Sequence, residues 1–378
     1  MRPTPNPCHA MIGRGRRAIV KWCASAKSID RCARTGKYRE SPTMPHHKIK
    51  IALAAGDPAG IGPEICLKAA LDPAVRAACD PIVVCDAAVL EQHAKACGIA
   101  ADFKVVERLS GANWSGAHIN VLSCPQPEAA ALGFGVTAPA MGRASIAFCT
   151  DAVDAAKAHD VDAVVAAPQN ETSIAQAGIP FDGHPSFVAR QTGADENGVY
   201  MMLCFGDTRI AHCTLHRSVR EALALITRAN VARTIRATDA ALKRIGIAAP
   251  KIAVSGLNPH AGEGGLFGRE EIETIKPAMD DVAAEGISVA GPFGADTMFH
   301  IPGFDAFVVM LHDQGHIATK LLAPHAAAAL TIGTPILFAS VAHGTGHDIA
   351  GKGIANPAAM IEAVLMIAKA RRVSALAS

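Results

Sequence analysis

The chain has 378 residues, half of them hydrophobic and 4% aromatic, with 36 Lys/Arg against 34 Asp/Glu. That length allows one large domain or two, and a core drawn mainly from Ala, Val, Ile and Leu is an α/β signature. Residues 1–43 hold ten Lys/Arg and two Asp/Glu while the remaining 335 hold 26 and 32, so the body is mildly acidic, which argues against a nucleic-acid partner.

Residues 1–47 show no apolar periodicity and are rich in Arg, Ser and Pro, which predicts a disordered extension, or one that precedes the natural start at Met44. Lys48–Ala55 reads as the first strand. Gly56–Glu64 (GDPAGIGPE) reads as a tight loop leading to a helix, with Pro63 suited to its first turn and Glu64 to its positive end. The loop is neither GxGxxG nor a P-loop, so it is weak evidence for a phosphate or cofactor site. Strands at Ile82–Cys85, Phe103–Val106, Ile119–Leu122 and Asp162–Ala167 then alternate with helices at Ala87–Cys97 and Pro139–Ala158. Such alternation predicts a mostly parallel sheet covered by helices.

Gly183-His184-Pro185-Ser186 follows a turn, and Tyr200–Phe205 and Arg209–Thr214 read as neighbouring strands, the second ending just before His216. Helices are expected near Val219–Ile226 and Val231–Ile245. The strand Lys251–Ser255 then empties into a Gly- and Pro-rich loop around His260. A helix at Arg269–Ala284 precedes Gly291–Thr297 (GPFGADT), which carries Asp296. The apolar run Phe307–Leu311 breaks into His312-Asp313-Gln314-Gly315-His316 and reaches Lys320. Polar, titratable groups at the end of a buried strand are where open α/β sheets put ligand chemistry. Residues 321–347 lack Asp, Glu, Lys and Arg, but Pro324, Gly333, Pro335 and three histidines interrupt them. Two buried strands with a turn fit better there than a membrane span. Eleven cysteines include no CxxC pair, and Cys85, Cys149 and Cys204 lie in apolar runs, so reduced thiols and a cytoplasmic setting are expected.

Three strands thus lead into histidines: His216, His260 and His312. Neutral imidazoles suit zinc, cobalt or nickel, and three of them leave coordination positions open for a substrate oxygen. The bland alternative is three separate capping or core histidines. Asp296 and Lys320 are candidate acid/base groups, or else ordinary surface charges.

Val341–Pro357 (VAHGTGHDIAGKGIANP) resembles the adenosine-binding loop of the isocitrate and isopropylmalate dehydrogenases. Taken with GDPAGIGPE, GLNPHAGEGG, GPFGAD and MLHDQGH, the chain resembles the 4-hydroxythreonine-4-phosphate dehydrogenase (PdxA) family over about residues 48–372. The resemblance implies an isocitrate/isopropylmalate-dehydrogenase-like two-domain α/β fold. Residues 48–170 plus 325–378 would form the cofactor side, and 171–324 the metal, substrate and dimerisation side. The active site would lie in the interdomain cleft near the interface of a homodimer, with no nucleic-acid or membrane partner. NAD or NADP would be held by His343, Gly344, Thr345, Asp348, Ile349, Gly351 and Asn356. One divalent metal, zinc first with cobalt, magnesium or manganese as alternatives, would sit on His216, His260 and His312. His184 and Lys320 fall on substrate-contacting positions. The implied reaction is oxidation of a secondary alcohol by NAD(P), then loss of CO₂ from the β-keto acid, with Lys320 and Asp296 relaying protons.

Departures from the family pattern bear on the substrate. Biosynthetic members have Gly-His-Thr where this chain has Gly183-His184-Pro185. Glu171 takes a lysine position, and Ala329 and Phe338 take those of an asparagine and an arginine. A buried phosphate without such partners is strongly disfavoured. The same replacements are similar to the branch that includes terephthalate cis-dihydrodiol dehydrogenases, which oxidise and decarboxylate a cyclic diol dicarboxylate. A non-phosphorylated substrate is therefore expected. The alternative is the biosynthetic activity on 4-hydroxythreonine 4-phosphate, with phosphate held by backbone amides. A three-histidine hydrolase and a non-catalytic NAD-binding protein are the readings from other classes.

Overall fold

The computed structural model describes residues 48–323 and 327–376; the extension expected at 1–47 lies outside them. The strands are β1 Ile49–Ala54, β2 Cys79–Cys85, β3 Phe103–Val106, β4 Ile119–Ser123, β5 Ala163–Ala166 and β6 Tyr200–Phe205, followed by β7 Thr208–His212, β8 Lys251–Ser255, β9 Ser288–Phe293, β10 Ala306–Val309, β11 Ala328–Ile332 and β12 Phe338–Val341. They form one mixed sheet in the order β3-β4-β2-β1-β5-β12-β11-β6-β7-β10-β8-β9. The run from β3 to β12 is parallel, as is the run from β7 to β9. Three antiparallel pairings, through β11 and β6, join these two blocks.

Sequence dictates this division. Ile51, Ala52, Leu53 and Ala54 in β1 are consecutive and all buried, as a strand covered on both faces requires. The helix Pro139–Lys157 supplies cover by burying Met141, Ala144, Phe148, Ala152 and Ala155 at three- and four-residue spacing. Phe148 is fully buried, a contribution of roughly 2–3 kcal/mol. Gly142 lets the helix Glu171–Gln176 cross closely, because a Cβ there would lie 2.2 Å from Ser173 O.

The stretch 321–347 contains the expected pair of buried strands, β11 and β12, as an antiparallel hairpin. β9 has no expected counterpart, because its residues are half-exposed at the sheet edge and include Pro292, so no apolar run marks it. The expected helix at 269–284 opens as a π-helical turn, Glu271–Ile275, before its α-helical part, Lys276–Ala284. His312–Leu322 is a helix, started by Gln314, whose Oε1 accepts from Met310 N and Leu311 N at 2.9 Å each. No helix among the described residues is long and apolar enough to cross a membrane, and the eight cysteines among them are all free.

The antiparallel centre positions the site. Directly opposed residues share a face, so Ser340, Ala329 and Leu203 form one row and Thr331 and Met201 another. These five side chains are the floor of a cleft.

Candidate functional site

The cleft has a volume of about 820 Å³, and His184, His212, His216, His316, Lys320 and His343 stand in its walls. His216 follows β7, and His312 opens the helix after β10. Because β7 and β10 are parallel neighbours, the two imidazoles come together with ring centroids 5.6 Å apart. His312 Nδ1 is held 2.7 Å from Asp313 Oδ1, which fixes the ring and leaves Nε2 open. A carboxylate behind an imidazole is the usual support for a metal-ligating histidine.

His316, one turn on, stacks on His312 at 3.6 Å, and the buried His212 lies 4.7 Å from His316. Burial, helped by the neighbouring imidazoles, pulls His212 down to about 3 and His316 to about 4. Both are therefore neutral near pH 7. Gly315 is required by this packing, since a Cβ there would sit 2.3 Å from His212 Nε2.

His184 begins the helix His184–Thr192, with Pro185 in the first turn, where a missing N–H costs nothing. Phe181 packs edge-on to its ring at 5.7 Å and Phe338 tilts against it at 5.4 Å. Burial among them pulls His184 down to about 4, and its Nε2 is buried with no protein partner. A neutral, unpartnered imidazole nitrogen in a cleft wall is a ready hydrogen-bonding group for a substrate.

His260 is placed apart from His216 and His312. Among the described residues, no three His, Cys, Asp or Glu side chains come together to hold a metal. The His260 side chain is 65% exposed, with Glu263 Oε2 3.5 Å from its Nδ1. It sits in a left-handed turn where His260, Ala261 and Glu263 have φ of 53°, 50° and 43°. Such values cost a non-glycine residue roughly 1–2 kcal/mol each. The buried Glu271 carboxylate holds the turn's base, accepting from Leu257 N at 2.8 Å and Asn258 N at 2.7 Å. Asp296 is exposed and does not line the cleft; a Cβ on nearby Gly294 would lie 2.8 Å from Asp296 Oδ1 and 3.9 Å from His260 Cα.

A second cavity of about 300 Å³ adjoins the cleft, and both are lined by Lys320, Ala342, His343 and Gly344. Lys320 Nζ donates to Ala342 O at 2.9 Å at this junction. Of the other expected cofactor residues, Ile349 and Asn356 line the second cavity. Thr345 O accepts from Ile61 N at 2.8 Å, and a Cβ on Gly351 would lie 2.7 Å from the Phe134 ring. Asp348 is exposed.

The GDPAGIGPE loop and the helix after it clamp the segment at 347–355. Asp57, itself buried, holds His347 Nε2 at 2.6 Å, and burial raises its pKa against the opposing effect of that contact. Glu64 Oε1 accepts from Ala355 N at 3.0 Å and from Lys68 Nζ at 2.6 Å. Lys68 Nζ also donates to Gly353 O at 3.0 Å and Ala355 O at 2.8 Å. Asp57 and Glu64 lie in the loop that the sequence marked only weakly as a phosphate or cofactor site, and Lys68 was not singled out; its one visible signal is the i,i+4 spacing from Glu64.

A family model, pyridoxal phosphate biosynthetic protein PdxA, matches residues 77–367. The chain belongs to the PdxA family. Among its PdxA-like relatives, a 1,2-dihydroxy-3,5-cyclohexadiene-1,4-dicarboxylate dehydrogenase from Comamonas sp is 38% identical, over 84% of this chain and 96% of the relative. A D-threonate 4-phosphate dehydrogenase from Cupriavidus necator is 39% identical over 83% and 95%. Among solved structures, a terephthalate 1,2-cis-dihydrodiol dehydrogenase from Burkholderia xenovorans LB400 is 40% identical, with a TM-score of 0.63 over 85% of this chain and 98% of that one. A 4-hydroxythreonine-4-phosphate dehydrogenase from Burkholderia phymatum is 36% identical, with a TM-score of 0.75 over 86% and 98%. This PdxA-family chain is accordingly an oxidoreductase, a dehydrogenase acting on CH–OH groups of a hydroxy acid.

Proposed function

We propose that the protein is an NAD(P)- and divalent-metal-dependent dehydrogenase that oxidises a secondary alcohol and releases CO₂ from the β-keto acid formed. Its substrate is a non-phosphorylated cyclic cis-dihydrodiol dicarboxylate. The observation that carries this reading is the junction of the two cavities at Lys320 and His343. A substrate lying over Met201, Leu203 and Ala329 on one side of the junction meets a nicotinamide reaching it from the other. The residues shared by the two cavities, Lys320, Ala342, His343 and Gly344, would meet a bound NAD(P), which would supply the hydride acceptor, while a cation on His216 and His312 would supply Lewis acidity.

Lys320 takes the hydroxyl proton at Nζ and returns one to the phenolate oxygen left when CO₂ departs and the ring becomes aromatic. His184 Nε2 hydrogen-bonds the substrate, and His312, fixed by Asp313, presents Nε2 to the cation beside His216. The third imidazole is the partner subunit's His260, with the partner's Asp296 beside it. Support for a homodimer comes from apolar surface around both half-sites. Leu266 is 72% and Phe267 48% exposed next to His260, while Val219 is 67% exposed after His216 and Leu321 78% exposed beside Lys320. Patches of this kind mark association surfaces.

Relatives named for phosphorylated substrates favour a second reading, 4-hydroxythreonine-4-phosphate dehydrogenase. Ala329 on the cleft floor and Phe338 against His184 leave that substrate's phosphate without cations there. The test is to supply zinc-loaded enzyme and NAD⁺ with 1,2-dihydroxy-3,5-cyclohexadiene-1,4-dicarboxylate or with 4-hydroxythreonine 4-phosphate. NADH and CO₂ from the diol support the proposal; robust turnover of the phosphate ester alone overturns it.

A further inference from the structure

The cleft sorts its charges. Asp182 and Glu196 are both neutralised by Arg190, at 3.0 Å each. Arg217 and Arg233 line the same cleft, and among the described residues neither forms a close ion pair, Glu221 being the carboxylate that feels the Arg217 charge. Glu171, which also lines it, has no ion pair among those residues either.

These groups lie on different sides. Glu171 follows β5, whereas Arg233 stands within hydrogen-bonding reach of the hydroxyl of Tyr200, the first residue of β6. β12 and β11 intervene in the sheet, a separation of about 14 Å at ordinary strand spacing. On the β5 side an anion meets the Glu171 carboxylate, with Ala329 and Phe338 supplying no charge and Lys320, held at Ala342 after β12, as the cation reserved for the reacting end. On the far side it meets two guanidinium groups, Arg217 directly after His216 and Arg233 on the helix Arg228–Arg244. The Tyr200 hydroxyl beside Arg233 is fixed by Asn230 Oδ1 at 2.8 Å and Asn197 O at 3.0 Å, so the polar wall there is ordered. Planar guanidinium groups match a carboxylate in two-point contact.

We propose that Arg217 and Arg233 form a carboxylate subsite that takes the substrate carboxylate remote from the reacting carbon and makes the enzyme selective for dicarboxylates. This rests on the reading of the cleft as the substrate site.

Equilibrium binding tests it without turnover. Benzene-1,4-dicarboxylate, benzoate and phenyl phosphate are titrated by calorimetry into zinc-loaded protein with NAD⁺, for wild type, Arg217→Met and Arg233→Met. The wild type is expected to bind the dicarboxylate about 10- to 100-fold more tightly than benzoate, the value of a charge-assisted contact. Each variant should bring that ratio close to one while benzoate affinity, which also reports correct folding, stays unchanged. A ratio that survives in both variants, or no preference in the wild type, overturns the subsite without touching the proposed oxidation. An arginine-dependent preference for phenyl phosphate over the dicarboxylate overturns the assignment to carboxylate. Failure of the diol to be oxidised leaves the binding ratio readable and counts against the reaction alone.

Discussion

Lys320 stands where the two cavities meet, anchored to Ala342 O at 2.9 Å. Acting on substrate protons, it has little reason to contribute to dinucleotide affinity. Lys320→Ala is expected to lower kcat by about 100-fold or more while NAD⁺ affinity, read by fluorescence titration, stays within about twofold. Unchanged turnover refutes the role. His184 makes a different prediction. Its pKa falls from about 6.5 in the unfolded chain to about 4 in the fold, because burial disfavours the imidazolium. The stability this gives is fully present above pH 6.5 and is lost as pH drops towards 4, by about 3 kcal/mol at most. Urea melts of wild type and His184→Gln should therefore differ in pH slope across that window, the variant being flatter. Equal slopes contradict the burial assigned to this ring.

At the scale of elements, the segment at 347–355 owes its shape to the loop and helix at 56–71. Lys68 ties Glu64 to two carbonyls of the segment, and Glu64 holds Ala355 N. Lys68→Met should raise the KM for NAD⁺ about tenfold with the substrate KM unchanged, and Lys68→Arg should restore part of the loss. A rise in both KM values, or in neither, contradicts a positioning role. Elements also show what sequence reveals. β1, β5, β8 and β10 were legible because apolar runs mark strands buried on both faces. β9 was not, being a half-exposed edge, and the clamp was not, because Lys68 and Gly353 are 285 residues apart. In the candidate site, His216, His312 and Lys320 were singled out as polar groups following apolar runs, and His184 only through the family resemblance. His212 and His316 were seen only as further histidines, since their contribution depends on the register of β7 against β10 and on the turn of the helix after it. Arg217, in the bend after His216, and Arg233, on the exposed face of a helix, carry no sequence pattern that sets them apart from other surface charges.

Over the whole molecule, the sheet holds two parallel blocks joined by an antiparallel centre, with the cleft on one face of that centre. We propose that the cofactor and metal/substrate sides divide there, near residues 170 and 325. Within one chain the site has two imidazoles together and a third displayed on a strained, exposed turn. That arrangement makes sense for a twofold assembly in which each subunit lends His260 to its neighbour, a self-complementary exchange. The account stands on this sharing. Mixing, unfolding and co-refolding inactive His260→Ala with inactive Lys320→Ala tests it most directly. Random pairing puts half the protein in mixed dimers with one intact site each, so about a quarter of wild-type activity should return. No recovery, with mixed dimers shown to have formed, would contradict a site completed across the interface.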